Sequence, residues 1–200
     1  MEKNVLVAVA QGSEELETIC IVDVLRRAGA NTILASVGKL EVNGSKGIKL
    51  IADRLLIACL KETYDLIALP GGMPGSEHLR DCAELIAALK RQCAEGLLYA
   101  AICAAPAVVF YPHGLLKGRR ATCHPNFAHL LSNVKLLDAA VVIDGNCITS
   151  RGAGTAVEFS LTLVEQLYGK EKAQEVAKGM AFMRDSGASC KDSVAPCKEW

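Results

Sequence analysis

Cys103 lies in the run Leu97-Leu-Tyr-Ala-Ala-Ile-Cys-Ala-Ala-Pro106. A short apolar segment ends at Ile102, and Pro106 marks a helix start near Ala105, where no backbone N–H donor is needed. A thiol on such a strand-to-helix turn faces the positive end of a helix dipole and free backbone N–H groups. That setting favours the thiolate, which is the nucleophilic and oxidisable form. Unpaired cysteines also serve as core packing. The position on the turn, rather than the residue type, carries the chemical reading.

A nucleophilic cysteine works with a base or an anion-stabilising partner. Of the four histidines, His78 near a helix start and His113 in a Tyr-Pro-His-Gly turn read as solvated surface residues, and His129 beside Leu130 and Leu131 reads as packing. His124, held before Pro125 on a constrained loop, is the best candidate partner. Glu17, one turn into the first helix, either complements the dipole or lies buried beside the thiol. In the second case its pKa rises and it can donate a hydrogen bond. Glu14 and Glu15 are expected to serve the helix end. Gly71-Gly72 is either a plain turn or a place where the Gly72 N–H joins that of Ala104 in an oxyanion pocket beside Cys103.

These residues need elements to hold them, and strand and helix patterns alternate along the chain. Asn4–Ala10 reads as a strand. A helix follows, capped by Ser13, with an apolar stripe of Leu16, Ile19, Cys20 and Val24, ending at Gly29. Thr32–Val37, Asp65–Leu69 and Leu97–Ile102 are further core strands, and Leu40–Leu50 is a hairpin-like excursion. Pro70-Gly-Gly-Met-Pro-Gly75 is too rich in Gly and Pro for regular structure. Ala83–Ala94 is an amphipathic helix, and a weaker strand is expected near Arg119–Thr122. Ala139–Ile143 and Cys147–Ser150 flank Asp144-Gly145, a hairpin turn signal, before helices at Thr155–Tyr168 and Glu171–Gly179. Strands alternating with helices predict a mostly parallel sheet covered on both faces, with sites at the carboxyl ends of its strands. One domain over residues 1–183 and a polar tail over 184–200 are expected.

Bulk properties narrow the classes. The 200 residues carry a formal net charge of zero, so no global field draws the chain to nucleic acid or anionic membrane. No apolar stretch nears the roughly 20 residues that span a bilayer, and Met1-Glu-Lys-Asn lacks the layout of a signal peptide. Nine cysteines without a Cys-x-x-Cys pair predict a reducing, cytoplasmic compartment rather than a disulfide scaffold; Cys190 and Cys197 in the tail are the exceptions, with polar neighbours. Arg151-Gly-Ala-Gly-Thr155 is only weakly like an anion nest, and no P-loop, dinucleotide fingerprint or zinc spacing occurs. No metal and no cofactor are expected.

Five ordered stretches together resemble the ThiJ/PfpI superfamily, in its DJ-one branch: Gly12-Ser-Glu-Glu-Leu-Glu-Thr18, Val22-Asp-Val-Leu-Arg-Arg-Ala-Gly29, Leu69-Pro-Gly-Gly72, Ala100-Ala-Ile-Cys-Ala-Ala-Pro106, and Thr149-Ser-Arg-Gly-Ala-Gly-Thr155 with Glu158-Phe159. The resemblance covers about residues 3–180. It implies a flavodoxin-like α/β sandwich and a homodimer with pockets near the subunit interface. It places Cys103 on the family's oxidisable cysteine, Glu17 on the protonated glutamate beside it, His124 on the pocket histidine, and Gly72 and Ala104 on the backbone anion site. Arg27 and Lys46 fall on positions that approach the pocket from the other subunit.

Some positions depart from that pattern. Lys46 stands where relatives often carry Arg, which keeps the charge and loses bidentate geometry. Ala153 replaces a common proline, and Met73 a common polar residue. Ala104, not His, follows the cysteine, and His124-Pro-Asn126 lacks a His-x-Glu pair, so no ordinary hydrolase triad is complete. The resemblance implies glutathione-independent glyoxalase activity, converting methylglyoxal to lactate, and deglycation of early methylglyoxal adducts. The alternative is a redox sensor or chaperone acting through Cys103 oxidation.

Overall fold

The computed structural model describes residues 2–182, so Cys190, Cys197 and the expected tail lie outside the described residues. Among the described residues eleven strands form: β1 Asn4–Val9, β2 Asn31–Ser36, β3 Glu41–Asn43, β4 Lys49–Ile51, β5 Arg54–Leu55, β6 Leu66–Leu69, β7 Leu98–Ile102, β8 Arg120–Ala121, β9 Lys135–Leu136, β10 Val141–Asp144 and β11 Cys147–Ser150. The helices are α1 Glu15–Arg27, α2 Gly75–Arg80, α3 Ala83–Ala94, α4 Ala156–Tyr168 and α5 Lys170–Gly179. Seven strands make the central sheet in the order β10-β11-β7-β6-β1-β2-β5. Every neighbouring pair is parallel except β10 with β11, the hairpin predicted around Asp144-Gly145.

Alternation along the buried strands fills two cores, because successive side chains leave opposite faces. Val5, Val7 and Val9 pack with Ile21, Val24 and Leu25 of α1, Phe159 and Leu163 of α4 and Val176 of α5. Leu6 and Ala8 pack on the other face with Leu79 of α2, Leu85 and Leu89 of α3 and Phe110. This is the predicted mostly parallel α/β sandwich with helices on both faces. The chain reverses direction across the sheet between β1 and β6, and the loops leaving the carboxyl ends of β1, β6 and β7 converge there.

Several local expectations are corrected. Glu14, not Ser13, caps α1, its carboxylate accepting the Glu17 N–H; the Ser13 hydroxyl instead accepts the Ala10 N–H at 3.0 Å. The stripe on α1 is rotated, because Leu16 and Ile19 are exposed while Glu15, Glu17, Thr18, Ile21, Val24 and Leu25 are buried. Residue 75 already begins α2, which runs from a loop read as irregular. The hairpin excursion exists as β3 paired with β4, and its turn is tied to α1 through Glu15, whose carboxylate accepts the N–H groups of Lys46 (2.8 Å) and Ile48 (3.1 Å). His129 is exposed rather than packed, and His113 is half-buried with Nε2 3.0 Å from the Arg80 carbonyl.

Candidate functional site

Cys103 follows directly on β7, with φ at +65°, a conformation that costs a non-glycine residue energy and persists only where neighbours hold it. Two long-range bonds do so: the Cys103 N–H donates to the Ser150 carbonyl at 3.0 Å, and the His124 N–H donates to the Cys103 carbonyl at 2.8 Å. The helical segment beyond the turn is only Pro106–Phe110, of π type.

Glu17 reaches this turn from the first turn of α1. Its Oε2 accepts the Gly71 N–H at 2.7 Å, and its Oε1 is buried without a nitrogen or oxygen partner among the described residues. The Cys103 thiol is the side chain that meets this carboxyl. Burial pushes Glu17 up to about 7, the negative charge of Glu14 adds to the rise, and the Gly71 amide opposes it.

Burial also pushes the Cys103 thiol up to about 12, the charge on Glu17 pushes the same way, and the N–H groups of Gly72 and Ala104 pull it down. The thiol was expected to be lowered by a helix dipole. A single π turn is too short to outweigh desolvation, so the direction is reversed. The two groups titrate as a pair that resists a second negative charge. When Glu17 holds its proton it ceases to oppose the thiolate and becomes a donor toward it.

Three glycines lock the floor of the site. A Cβ on Gly72 would fall 2.4 Å from the Glu14 nitrogen, one on Gly75 would fall 2.3 Å from the Ser13 nitrogen, and one on Gly12 would fall 2.5 Å from the Pro74 ring. The loop after β1 and the loop after β6 therefore touch backbone to backbone.

A cavity of about 680 Å³ opens above this floor, lined by Glu17, Cys103, Gly72, Ala104 and His124 with Lys46, Arg151, Met73, Phe127 and Ala153. His124 Nδ1 accepts the Asn126 N–H at 3.2 Å, so the neutral ring carries its hydrogen on Nε2 and offers a donor rather than a base. The ring packs edge-on to Phe127, with centroids 6.1 Å apart. Arg151 is ion-paired with Asp138. Lys46 lines the cavity of its own chain. Arg27 does not line it; its Nε pairs with Asp23 Oδ2 at 2.6 Å on α1. Thus five of the seven residues singled out meet on the floor and wall, Lys46 joins at the rim, and Arg27 stands apart. The sequence singles out Gly71 only as half of a turn and Arg151 only within a loop weakly like an anion nest, and it gives no signal for Phe127. No group of three metal-binding side chains occurs among the described residues, and no helix among them is long and apolar enough to cross a membrane.

A mostly parallel α/β sandwich with a cysteine on the turn after a central strand and a buried glutamate against it defines a class, and comparison with known proteins supplies its name. The sequence pattern of the DJ-1/PfpI family matches residues 3–166, and the chain belongs to that family. "Protein DJ-1 homolog A" of Arabidopsis thaliana is 49% identical over 176 residues, covering 88% of this chain and 45% of the relative. The chain therefore spans about half the length of that relative. "Glutathione-independent glyoxalase DJR-1.2" of Caenorhabditis elegans is 37% identical, covering 87% of this chain and 93% of the relative. The solved structure "Toxoplasma gondii DJ-1, oxidized" superposes with a TM-score of 0.89 at 45% identity, covering 91% of this chain and all of that one.

Proposed function

We propose that this chain is a cysteine-dependent, glutathione-independent glyoxalase that acts in the cytoplasm on methylglyoxal and, as a deglycase, on its early adducts, protecting the cell from reactive dicarbonyls and oxidative stress. The observation that carries the reading is the buried Glu17 carboxyl, raised to about 7 and set against Cys103 between the Gly72 and Ala104 amides. A group with that pKa exchanges protons in both directions near neutrality.

In this reaction the Glu17 carboxylate takes the Cys103 thiol proton as the sulfur adds to the aldehyde carbon, the two amides hold the oxyanion, and Glu17 passes that proton on to it. The Glu17 carboxylate then removes hydrogen from that carbon and returns it to the neighbouring carbon, leaving a lactoyl thioester. Water cleaves the thioester and frees lactate and the thiol. His124, holding its hydrogen on Nε2, donates to a substrate oxygen. The cavity is far larger than a three-carbon dicarbonyl requires, which supports glycated groups as further substrates. The relative named as a glyoxalase supports the same chemistry.

The test is lactate release from methylglyoxal by pure protein without glutathione. Wild type is expected to form lactate and Cys103→Ala none; lactate from the variant would overturn the mechanism.

A second reading, a redox sensor or chaperone, rests on the same geometry, because a protonated Glu17 and two amides also bind a sulfinic acid on Cys103. Selective gain of two oxygens on Cys103 under mild peroxide, with no turnover, would favour it. We also propose a homodimer. Leu16 (49% exposed), Ile19 (49%), Ile48 (55%) and Ile51 (76%) put apolar surface on α1 and the β3–β4 hairpin, next to the cavity rim, and Arg27 of a second copy would approach there.

A further inference from the structure

Away from the Cys103 cavity, two other cysteines gather around one phenol. Tyr99 on β7 and Cys147 on β11 are register partners in a parallel pair, so their side chains leave the same face of the sheet. α3 packs on that face and brings Cys93, in its last turn, onto Tyr99, with Sγ 3.5 Å from the hydroxyl. Cys147, fully buried, stands beside Tyr99 as its register partner on the neighbouring strand. Tyr99 itself donates to the Leu115 carbonyl at 2.8 Å.

Arg119 closes the cluster. Its guanidinium lies over the Tyr99 ring, 5.6 Å from the centroid, and sets Nη2 4.0 Å from Cys93 Sγ. Its remaining bonds go to neutral oxygens, the Asp144 carbonyl at 2.5 Å and Asn146 Oδ1 at 2.7 Å. The Asp144 carboxylate is taken by Arg120 at 3.2 Å, and no ion pair among the described residues uses Arg119. Asn146 donates to the Leu97 carbonyl at 2.8 Å, which clamps the β10–β11 turn against the loop after α3. A guanidinium in no ion pair among the described residues thus faces a half-buried thiol, and a second thiol lies behind the same phenol. No third metal-binding side chain joins the two cysteines among the described residues.

We propose that Cys93 and Cys147 form a peroxide-reactive dithiol pair, independent of Cys103. Cys93 is the attacking thiol, because it is the more accessible of the two and its sulfur lies 4.0 Å from the Arg119 guanidinium. Its sulfur attacks a hydroperoxide, the O–O bond breaks, and Cys93 becomes a sulfenic acid as water or an alcohol leaves. The Cys147 sulfur then attacks the sulfenic sulfur; the S–S bond forms, the S–O bond breaks, and water leaves. Two thiols are oxidised to one disulfide and one peroxide is reduced. The disulfide fastens the end of α3 to β11.

The test uses Cys103→Ala, in which the tryptic peptide 92–117 keeps Cys93 as its single cysteine and the peptide 136–151 carries Cys147. The protein is treated with hydrogen peroxide, capped with iodoacetamide and digested without reduction. The expected product is peptide 92–117 joined to 136–151, two hydrogens below the summed mass and lost on reduction. In Cys147→Ser the link disappears and Cys93 goes on to sulfinic acid; in Arg119→Gln the link forms several times more slowly. Recovery of both cysteines as capped thiols, a link from Cys93 to any other cysteine, or sulfinic acid on Cys93 while Cys147 is intact overturns the proposal. In the wild-type chain the same link is read from fragment ions that separate Cys93 from Cys103, so the outcome does not depend on the variant folding.

Discussion

A Cβ atom on Gly71 would lie 2.6 Å from the Cβ of Cys103 and 2.9 Å from the Ala104 nitrogen. The same glycine gives its N–H to Glu17 Oε2 at 2.7 Å. One residue without a side chain therefore fixes both the height of the thiol turn and the position of the acid. Gly71→Ala is expected to destabilise the fold by about 1–3 kcal/mol through overpacking, and to slow alkylation of Cys103 and lactate formation together. Urea unfolding and iodoacetamide labelling read the two effects; a variant as stable and as reactive as wild type would show that the loop yields freely.

Glu17→Gln tests the raised carboxyl through stability. Glu17 titrates at about 7 in the fold against an ordinary 4.5, so the native state holds a proton that the unfolded chain has released. Its contribution is complete below pH 4.5 and is lost as pH rises through about 7, amounting to about 3 kcal/mol. Glutamine cannot ionise and still donates a hydrogen bond. The stability of Glu17→Gln relative to wild type is therefore expected to rise between pH 4.5 and 7 and stay level above, as denaturant titrations at several pH values would record. A difference that is flat across that range contradicts the assignment. Lactate formation is expected to fall by about 10²–10⁴-fold, the range for loss of a proton-transfer group.

Backbone strain at residue 103 gives a third test. With φ at +65°, alanine keeps the left-handed penalty and glycine escapes it. Cys103→Gly is expected to be more stable than Cys103→Ala by about 1 kcal/mol, measured as the difference in unfolding free energy. The opposite order would mean that the turn is unstrained.

The apolar face on α1 and the β3–β4 hairpin predicts an oligomer. Light scattering is expected to give a dimer for wild type and a monomer for Ile19→Arg or Ile51→Asp, since either buries a charge at the contact. A monomeric wild type would remove the dimer from consideration.

Much of this architecture is legible in the chain. The short apolar runs of β1, β6 and β7 read as buried strands from their length and flanking turn residues, and Pro106 marks where the helical turn begins after Cys103. The phase of α1 is less legible. Leu16 and Ile19 look like core residues, yet Glu15 and Glu17 occupy the inner face, because the hairpin amides satisfy one carboxylate and the Gly71 N–H the other. No local pattern records a partner 31, 33 or 54 residues away. The direction of the Cys103 shift is hidden for the same reason, since it depends on how deeply the sulfur is buried and on which acid meets it. Gly71 reads as half of a turn, and only its distance to the Cys103 Cβ shows why a side chain is excluded.

The interlocked glycines at positions 12, 72 and 75 have a consequence for how the site can change. Two loops in backbone contact hold each other in place, so the start of α1, which carries Glu17, and the Gly72 amide are fixed relative to one another. Phe127 and Ala153 line the entrance from outside both loops, so substitutions there reshape it without touching that contact. For the activity proposed above, selectivity and reactivity would thereby be uncoupled: the rim would be open to retuning for bulkier or more polar guests over an unchanged floor.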